Sequence, residues 1–278
     1  MAFQPPHPPP PGRTVTSFHN AGFFSCCTVL LHEMVKYYNT FRVYPERIDA
    51  TGTFMWYKNP ADRARDVRPD YFMLLNEATP SPTYEEHGPI RITNESVEDQ
   101  FSNYQRLNHE QLRPLMERYF APSAATCDLV ERLCTKYHVD YDQTCVLFHR
   151  GNDKVKEVDV PGYQEYVDAA RQLLNQNPGL RFLVQSDETE FLDAMKAEFP
   201  TNHVIFYDEI RHIPSNPTTL VDKVFPEQNA VMSKNFLAIT LMMSRCKYVV
   251  CGSGNCSFWV ALFRGHGDGL VQFNYLGV

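Results

Sequence analysis

The chain has 278 residues, 43% of them hydrophobic, and carries 26 Lys and Arg against 33 Asp and Glu, a net charge of −7. At roughly 100–200 residues per domain this is enough for one large or two moderate domains, and two are expected. Basic residues gather into no stripe, which excludes the sustained attraction of a nucleic-acid binder, and no apolar run reaches the roughly 18 residues of a membrane span.

The first twelve residues contain PPHPPPPG, which suits neither a helix nor a central strand and predicts an extended arm outside the fold. This opening is not the basic-then-apolar pattern of a secretory leader, so a soluble, cytoplasmic protein without an integral membrane segment is expected. The eight cysteines, Cys26, Cys27, Cys127, Cys134, Cys145, Cys246, Cys251 and Cys256, fall mostly inside apolar patterns and lack CxxC spacing. They read as free buried thiols of a reducing compartment.

Thr14 to Phe18 reads as a strand, HNAGFFS as a turn, and Cys26 to Tyr38 as a helix with Val29, Leu30, Met34 and Val35 on its apolar face. Asn94 to Tyr137 reads as three helical segments, SVEDQFSNYQRL, HEQLRPLMERYF and ATCDLVERLCTKY, the last two parted by APSA. From Thr144 a regular alternation begins. Strands are predicted over 145–149, 181–185, 203–207, 248–251 and 271–274, with helices over 163–175, 188–198, 233–245 and 257–264. Alternation of this kind implies an α/β fold with a parallel sheet covered on both faces. The expected division is an arm over 1–12, a first domain over 13–143 including a helical connection, and a second over 144–278.

Ligands of open α/β sheets bind at the C-terminal ends of strands, and three such ends carry unusual chemistry. HRGNDK follows the first strand of the alternation. Arg150 offers a planar fork for two phosphate oxygens, and Gly151 permits close backbone approach; equally, Arg150 and Asp153 form a pair that holds a turn. SDETEF follows the second strand, where Ser186 or Asp187 caps the next helix or supplies a carboxylate to a ribose or base. CGSGNCSFW follows the fourth, where Gly252 to Asn255 place small residues and backbone N–H groups at a helix N-terminus, an anion site. Neither GxGxxG nor GxxxxGK[ST] occurs at these junctions, which argues against a Rossmann oxidoreductase.

VLFHRGNDKVKEV resembles the first motif of the fucosyltransferase-like glycosyltransferases, the superfamily of α1,6-fucosyltransferases, nodulation fucosyltransferases and protein O-fucosyltransferases. FLVQSDETEFLDAMKAEFP and LMMSRCKYVVCGSGNCSFWVALFRG resemble their second and third motifs in the same order, and SFHNAGFFSCCTVLLHEMVKYYNT their opening loop and first helix. The resemblance implies a GT-B architecture, two Rossmann-like domains facing across a cleft, with a nucleotide-sugar donor held by the second. It places Arg150 on the donor diphosphate with His149, Gly151 and Lys154 around it, Ser186 and Asp187 near the nucleoside, and Ser253, Gly254, Asn255, Cys256 and Ser257 on the phosphates. Gly22 and Phe23 would close on the donor from the first domain. The α1,6 enzymes have a second arginine where this chain has Gly151, and a histidine where it has Phe148.

Such a site would run an inverting transfer to a glycan or glycoprotein acceptor without metal or other cofactor, fixed positive charge and N–H dipoles stabilising the departing diphosphate. The nearest DxD pair, Asp140 and Asp142, precedes a strand instead of ending one. An inverting enzyme needs a base, for which His19, His32, Glu86 and Asp153 are candidates. His19 stands closest to the glycine turn, where bracing the loop is its other reading. Aromatic residues between Phe54 and Glu86 serve either sugar stacking or packing. GDP-fucose is the first donor expected and a UDP-sugar such as UDP-xylose the variant; a non-catalytic nucleotide- or glycan-binding relative is the competing reading.

Overall fold

The structure is a computed structural model that describes residues 11–74 and 88–276; most of the proline-rich arm, and Glu86, lie outside the described residues. Strand β1 (Thr14–Thr16) leads through a turn into helix α1 (Phe23–Phe41), and β2 (Arg47–Asp49) then pairs with β1 in parallel. Phe23, Phe24, Cys27, Leu30, Leu31, Met34 and Tyr38 recur at helical spacing on α1 and are buried. The helix outruns its predicted bounds by three residues at each end; at the N-terminus Phe23 and Phe24 extend the buried face. It stops at Arg42, which adopts the left-handed conformation.

Two of the three predicted middle helices form, α2 (His109–Tyr119) and α3 (Ala124–Tyr137). SVEDQFSNYQRL does not; it makes 3₁₀ turns at Asp99–Phe101 and Tyr104–Arg106. Side chains compete there for the backbone: Glu95 accepts from the Asn103 N–H, the Asn103 side chain from the Gln105 N–H, and Ser102 Oγ donates to the Asp99 carbonyl. Among the described residues, the part before Thr144 holds the β1–β2 pair, α1 to α3 and short turns, and no larger sheet.

The second half alternates as predicted. Strands β3 (Thr144–His149), β4 (Arg181–Ser186), β5 (His203–Ile205), β6 (Tyr248–Gly252) and β7 (Leu270–Phe273) alternate with α4 (Tyr163–Gln176), α5 (Thr189–Glu198), α6 (Val221–Val224), α7 (Asn229–Arg245) and α8 (Asn255–Arg264). All five strands are parallel, in the order β5-β4-β3-β6-β7. Every residue of β3 is buried, as a central strand covered on both faces requires. The predicted third strand is two residues shorter, and α7 begins four residues earlier than its predicted start.

From β3 the chain first winds outward through β4 to β5, then crosses back to β6 and β7 on the other side. The order reverses between β3 and β6, which makes the gap beyond their C-terminal ends the topological switch point. His149 lies opposite Ser186 and Phe148 opposite Cys251, so the three chemically unusual strand ends share one edge.

One apolar core runs from Phe23 through the sheet to Leu270. Trp259 of α8 joins the halves: its ring lies 6.0 Å from Phe24 and 4.7 Å from Phe120, and its Nε1–H donates to Thr28 Oγ1 at 2.9 Å. All eight cysteines are unpaired, and among the described residues no helix is long and apolar enough to cross a membrane. Replacing Trp259 by alanine should cost about 3–5 kcal/mol, with both halves unfolding in one transition. Urea denaturation followed by circular dichroism measures this, and two separated transitions would contradict a shared core.

Candidate functional site

Beyond β3 the backbone bends at Gly151 and enters the left-handed region at Asn152, with φ of 43°. The end of β4 dictates this turn. Asp187 Oδ1 accepts from the Gly151 N–H at 3.1 Å, Glu188 Oε1 accepts from the Asn152 N–H at 2.8 Å, and the Asn152 side chain donates to the Asp187 carbonyl at 2.8 Å. Glu188 is 4% exposed and also accepts from His149 Nε2 at 3.0 Å, Tyr163 OH at 2.8 Å and Ser215 Oγ at 2.9 Å. Burial opposes its charge, but these donors outweigh burial and hold its carboxyl down at about 2, below the ordinary 4.5. Gly151 is required here for space and not for its φ of −102°: a Cβ would stand 2.0 Å from the Glu188 carboxyl carbon.

Arg150 projects from this turn into a cavity of about 340 Å³ at the switch point. Its Nη2 lies 3.4 Å from Asp153, and its Nε lies 3.4 Å from Asp187 Oδ2 without forming a well-directed hydrogen bond. Burial works against the guanidinium charge, and the neighbouring acidic groups, Asp187 first and then Cys256, Asp153 and Asp222, more than restore it. Lys154 Nζ contacts Glu157 Oε2 at 2.5 Å and passes over the Phe101 ring. Opposite stands the N-terminus of α8. No side chain caps it, so the backbone N–H groups of Asn255, Cys256 and Ser257 lack partners within the helix. Gly254 has φ of 151°, and a Cβ there would meet Lys154 Cε at 2.8 Å. Its own N–H is already taken by Tyr104 OH at 2.9 Å, so the N–H groups without a helical partner begin at Asn255.

The cavity gathers Gly22, Phe23, Arg150, Asp153, Lys154, Asp187, Ser253, Gly254, Asn255, Cys256 and Ser257 from the predicted set. His149, Gly151, Ser186 and His19 do not line it, nor do Gly252 and the further base candidate His32. His149 is buried behind the turn, stacked on Phe191 with ring centroids 4.6 Å apart; Gly151 is covered by Glu188. Ser186 is buried and accepts from the Glu188 N–H at 3.0 Å. His19 bonds Ser25 Oγ at 2.9 Å, and Ser25 lines the cavity in its place. His32 pairs instead with Asp99 at 2.5 Å, half exposed.

Sequence reasoning missed Trp56, Tyr57, Arg211 and Asp222, which form a further wall. Asp222 accepts from Tyr57 OH at 2.9 Å and from Arg211 Nη2 at 2.6 Å, while Arg211 also donates to the Phe225 carbonyl and Asn229. Arg211 lies in the loop after β5 and Asp222 in the one-turn helix α6, where no periodicity marks either, and Trp56 and Tyr57 were legible only as aromatics. Among the described residues no group of three or more His, Cys, Asp or Glu is placed to hold a metal ion.

No protein-family model matches the chain, and no curated protein matches it. Among solved structures it is similar to NodZ alpha-1,6-fucosyltransferase co-crystallized with GDP (12% identity, TM-score 0.40) and soaked with GDP-fucose (11%, 0.36). Each alignment covers 57% of this chain and 47% or 48% of the other, so the chain spans about half the length of the structures it matches.

Glu188 sets a pH dependence. Its carboxyl is depressed in the folded state, so its contribution is present above pH 4.5 and is lost as pH falls toward about 2; for a group this buried it is on the order of 3 kcal/mol. Glu188→Gln should flatten the dependence of stability on pH in that window, read by denaturant titration at several pH values. A slope equal to that of the unaltered protein would show that the network does not depend on the charge.

Proposed function

We propose that this protein is a glycosyltransferase that uses a nucleotide-sugar donor, with the donor diphosphate in the cavity at the β3–β6 switch point. The observation that carries this reading is the convergence of Arg150 and the uncapped N-terminus of α8 on one cavity. Departure of a nucleoside diphosphate builds negative charge on phosphate oxygens, and a fixed guanidinium with N–H dipoles stabilises that charge as it grows. Lys154 adds a second cation, while Ser253 to Ser257 shape the turn. Asp187 and the side chains beyond it face the nucleoside.

In this reading the part over 13–143 serves as the acceptor side of a two-domain cleft, and 144–278 as the donor side. Gly22 and Phe23 close on the donor from the first part, and His19 braces that loop through Ser25. Transfer inverts the anomeric carbon without a metal ion: the acceptor oxygen forms its bond as the bond to phosphate breaks, and the acceptor proton passes to Asp153. Burial first, and then Asp187 and Glu157, raise the Asp153 carboxyl above its ordinary value against the pull of Arg150 and Lys154, which makes it the more basic. The sequence resemblance makes GDP-fucose the first donor to test and UDP-sugars the second, with a glycan or glycoprotein as acceptor.

Thermal stabilisation across GDP-, UDP- and dTDP-sugars, with and without EDTA, tests the site, since a ligand that binds only the folded state raises Tm. One nucleotide class should stabilise selectively and regardless of chelator. Arg150→Ala should fold normally while losing more than about tenfold in turnover, or about 1.4 kcal/mol of transition-state stabilisation. Unchanged turnover would remove Arg150 from the mechanism, and donor binding without turnover on any acceptor would favour a non-catalytic nucleotide-binding protein.

A further inference from the structure

The cations of the cavity are already engaged. Arg150, Lys154 and Arg211 line it together with Asp153, Glu157, Asp187, Glu209 and Asp222, so carboxylates outnumber cations in a site that this reading assigns to a diphosphate. The pairings differ in kind. Arg211 is fixed by Asp222, Asn229 and a backbone carbonyl, and Arg150 stands between two carboxylates at 3.4 Å. Lys154 has one close polar contact, Glu157 at 2.5 Å, and a longer one to Gln100 Oε1 at 3.4 Å.

That pair is asymmetric. The Lys154 side chain is 10% exposed and the Glu157 side chain 43%. A buried ammonium needs a counter-charge, whereas a half-exposed carboxylate recovers its hydration when it lets go, which makes its own contribution small. Lys154 Cε also lies against Gly254, at the threshold of α8, so the ammonium is within the same cavity as the N–H groups of that helix.

We propose that Glu157 is a displaceable counter-ion, which Lys154 holds until a phosphate oxygen takes its place. The proposal rests on the diphosphate reading of the cavity and adds a residue that sets affinity. An anion must outcompete the carboxylate, and a diphosphate, which also engages Arg150 and the α8 N-terminus, does so where a weaker anion does not. Glu157 thus lends stability to the protein before binding and subtracts from affinity during it. A purely structural ion pair would contribute only the first effect.

The test compares the unaltered protein, Glu157→Gln, Lys154→Met and the double variant by isothermal titration calorimetry with GDP, UDP and inorganic pyrophosphate, and by Tm without ligand. Glu157→Gln should lower Tm yet tighten binding of the preferred diphosphate about fivefold or more, close to 1 kcal/mol. Lys154→Met should weaken binding, and in its background Glu157→Gln should have little further effect. Unchanged or weaker binding by Glu157→Gln would overturn the proposal, because Glu157 would then orient Lys154 instead of competing for it. A gain that persists without Lys154 would overturn it in favour of general charge repulsion. If the unaltered protein binds no nucleotide and no pyrophosphate, the reading of the site itself fails; binding there with no gain in Glu157→Gln sinks this inference alone.

Discussion

The site depends on one buried carboxylate. Glu188 sits where β4 ends and α5 begins, and it draws together the end of β3 through His149 and the Asn152 N–H, α4 through Tyr163, and the loop after β5 through Ser215. A buried charge is tolerated only when donors surround it, and each donor lost leaves the charge more costly. The Gly151–Asn152 turn therefore has little freedom: it must keep the Asn152 N–H on Glu188, and no side chain fits between Gly151 and the carboxylate. Arg150 emerges from a backbone that is fixed on both sides, which is what aiming a guanidinium at a ligand requires.

The other wall is braced from outside the sheet. Tyr104 OH accepts from the Gly254 N–H and donates its one proton to the Gln100 carbonyl at 2.6 Å, with the Gly254 carbonyl 3.1 Å away. Asn255 is held between Thr28 and Gln100, and Thr28 also receives the Trp259 indole N–H. Gln272 links Ser253 Oγ to the Ser102 carbonyl and accepts from the Tyr104 N–H. Residues before Thr144 thus fix the conformation of a turn that belongs to the sheet. The continuous core and these bonds make the first part a component of this wall of the cavity, not an appendage to it.

Most of the sheet was legible because strands and helices announce themselves by period. β3, β4 and β6 begin and end within one residue of their predicted bounds, and their register then follows from parallel pairing. The segment before α2 was misread because its apolar spacing suited a helix while Asn103, Ser102 and Glu95 offered the backbone other partners. Within SDETEF the resemblance pointed to Ser186 and Asp187, yet Glu188 organises the turn. Sequence shows that carboxylates are adjacent; only the path of the chain shows which one faces inward. The wall of Tyr57, Arg211 and Asp222 was illegible for a related reason, since its members are joined across 165 positions of chain by one hydrogen bond.

In a chain with a net charge of −7, the proposed anion site works against the protein's own field. Its means are few cations and much geometry. No side chain caps the N-terminus of α8, so no carboxylate occupies its N–H groups. Arg150 keeps donor capacity because Asp153 takes one long hydrogen bond from Nη2 at 3.4 Å, while Nε, 3.4 Å from Asp187, makes none. Long-range attraction is weak in such a site, and screening by salt weakens it further. Selectivity then falls to ligands that can meet the guanidinium, the ammonium and the helix N-terminus together. Two linked phosphates span such a set of donors better than one, which is how the proposed site, poor in net charge, would favour a diphosphate.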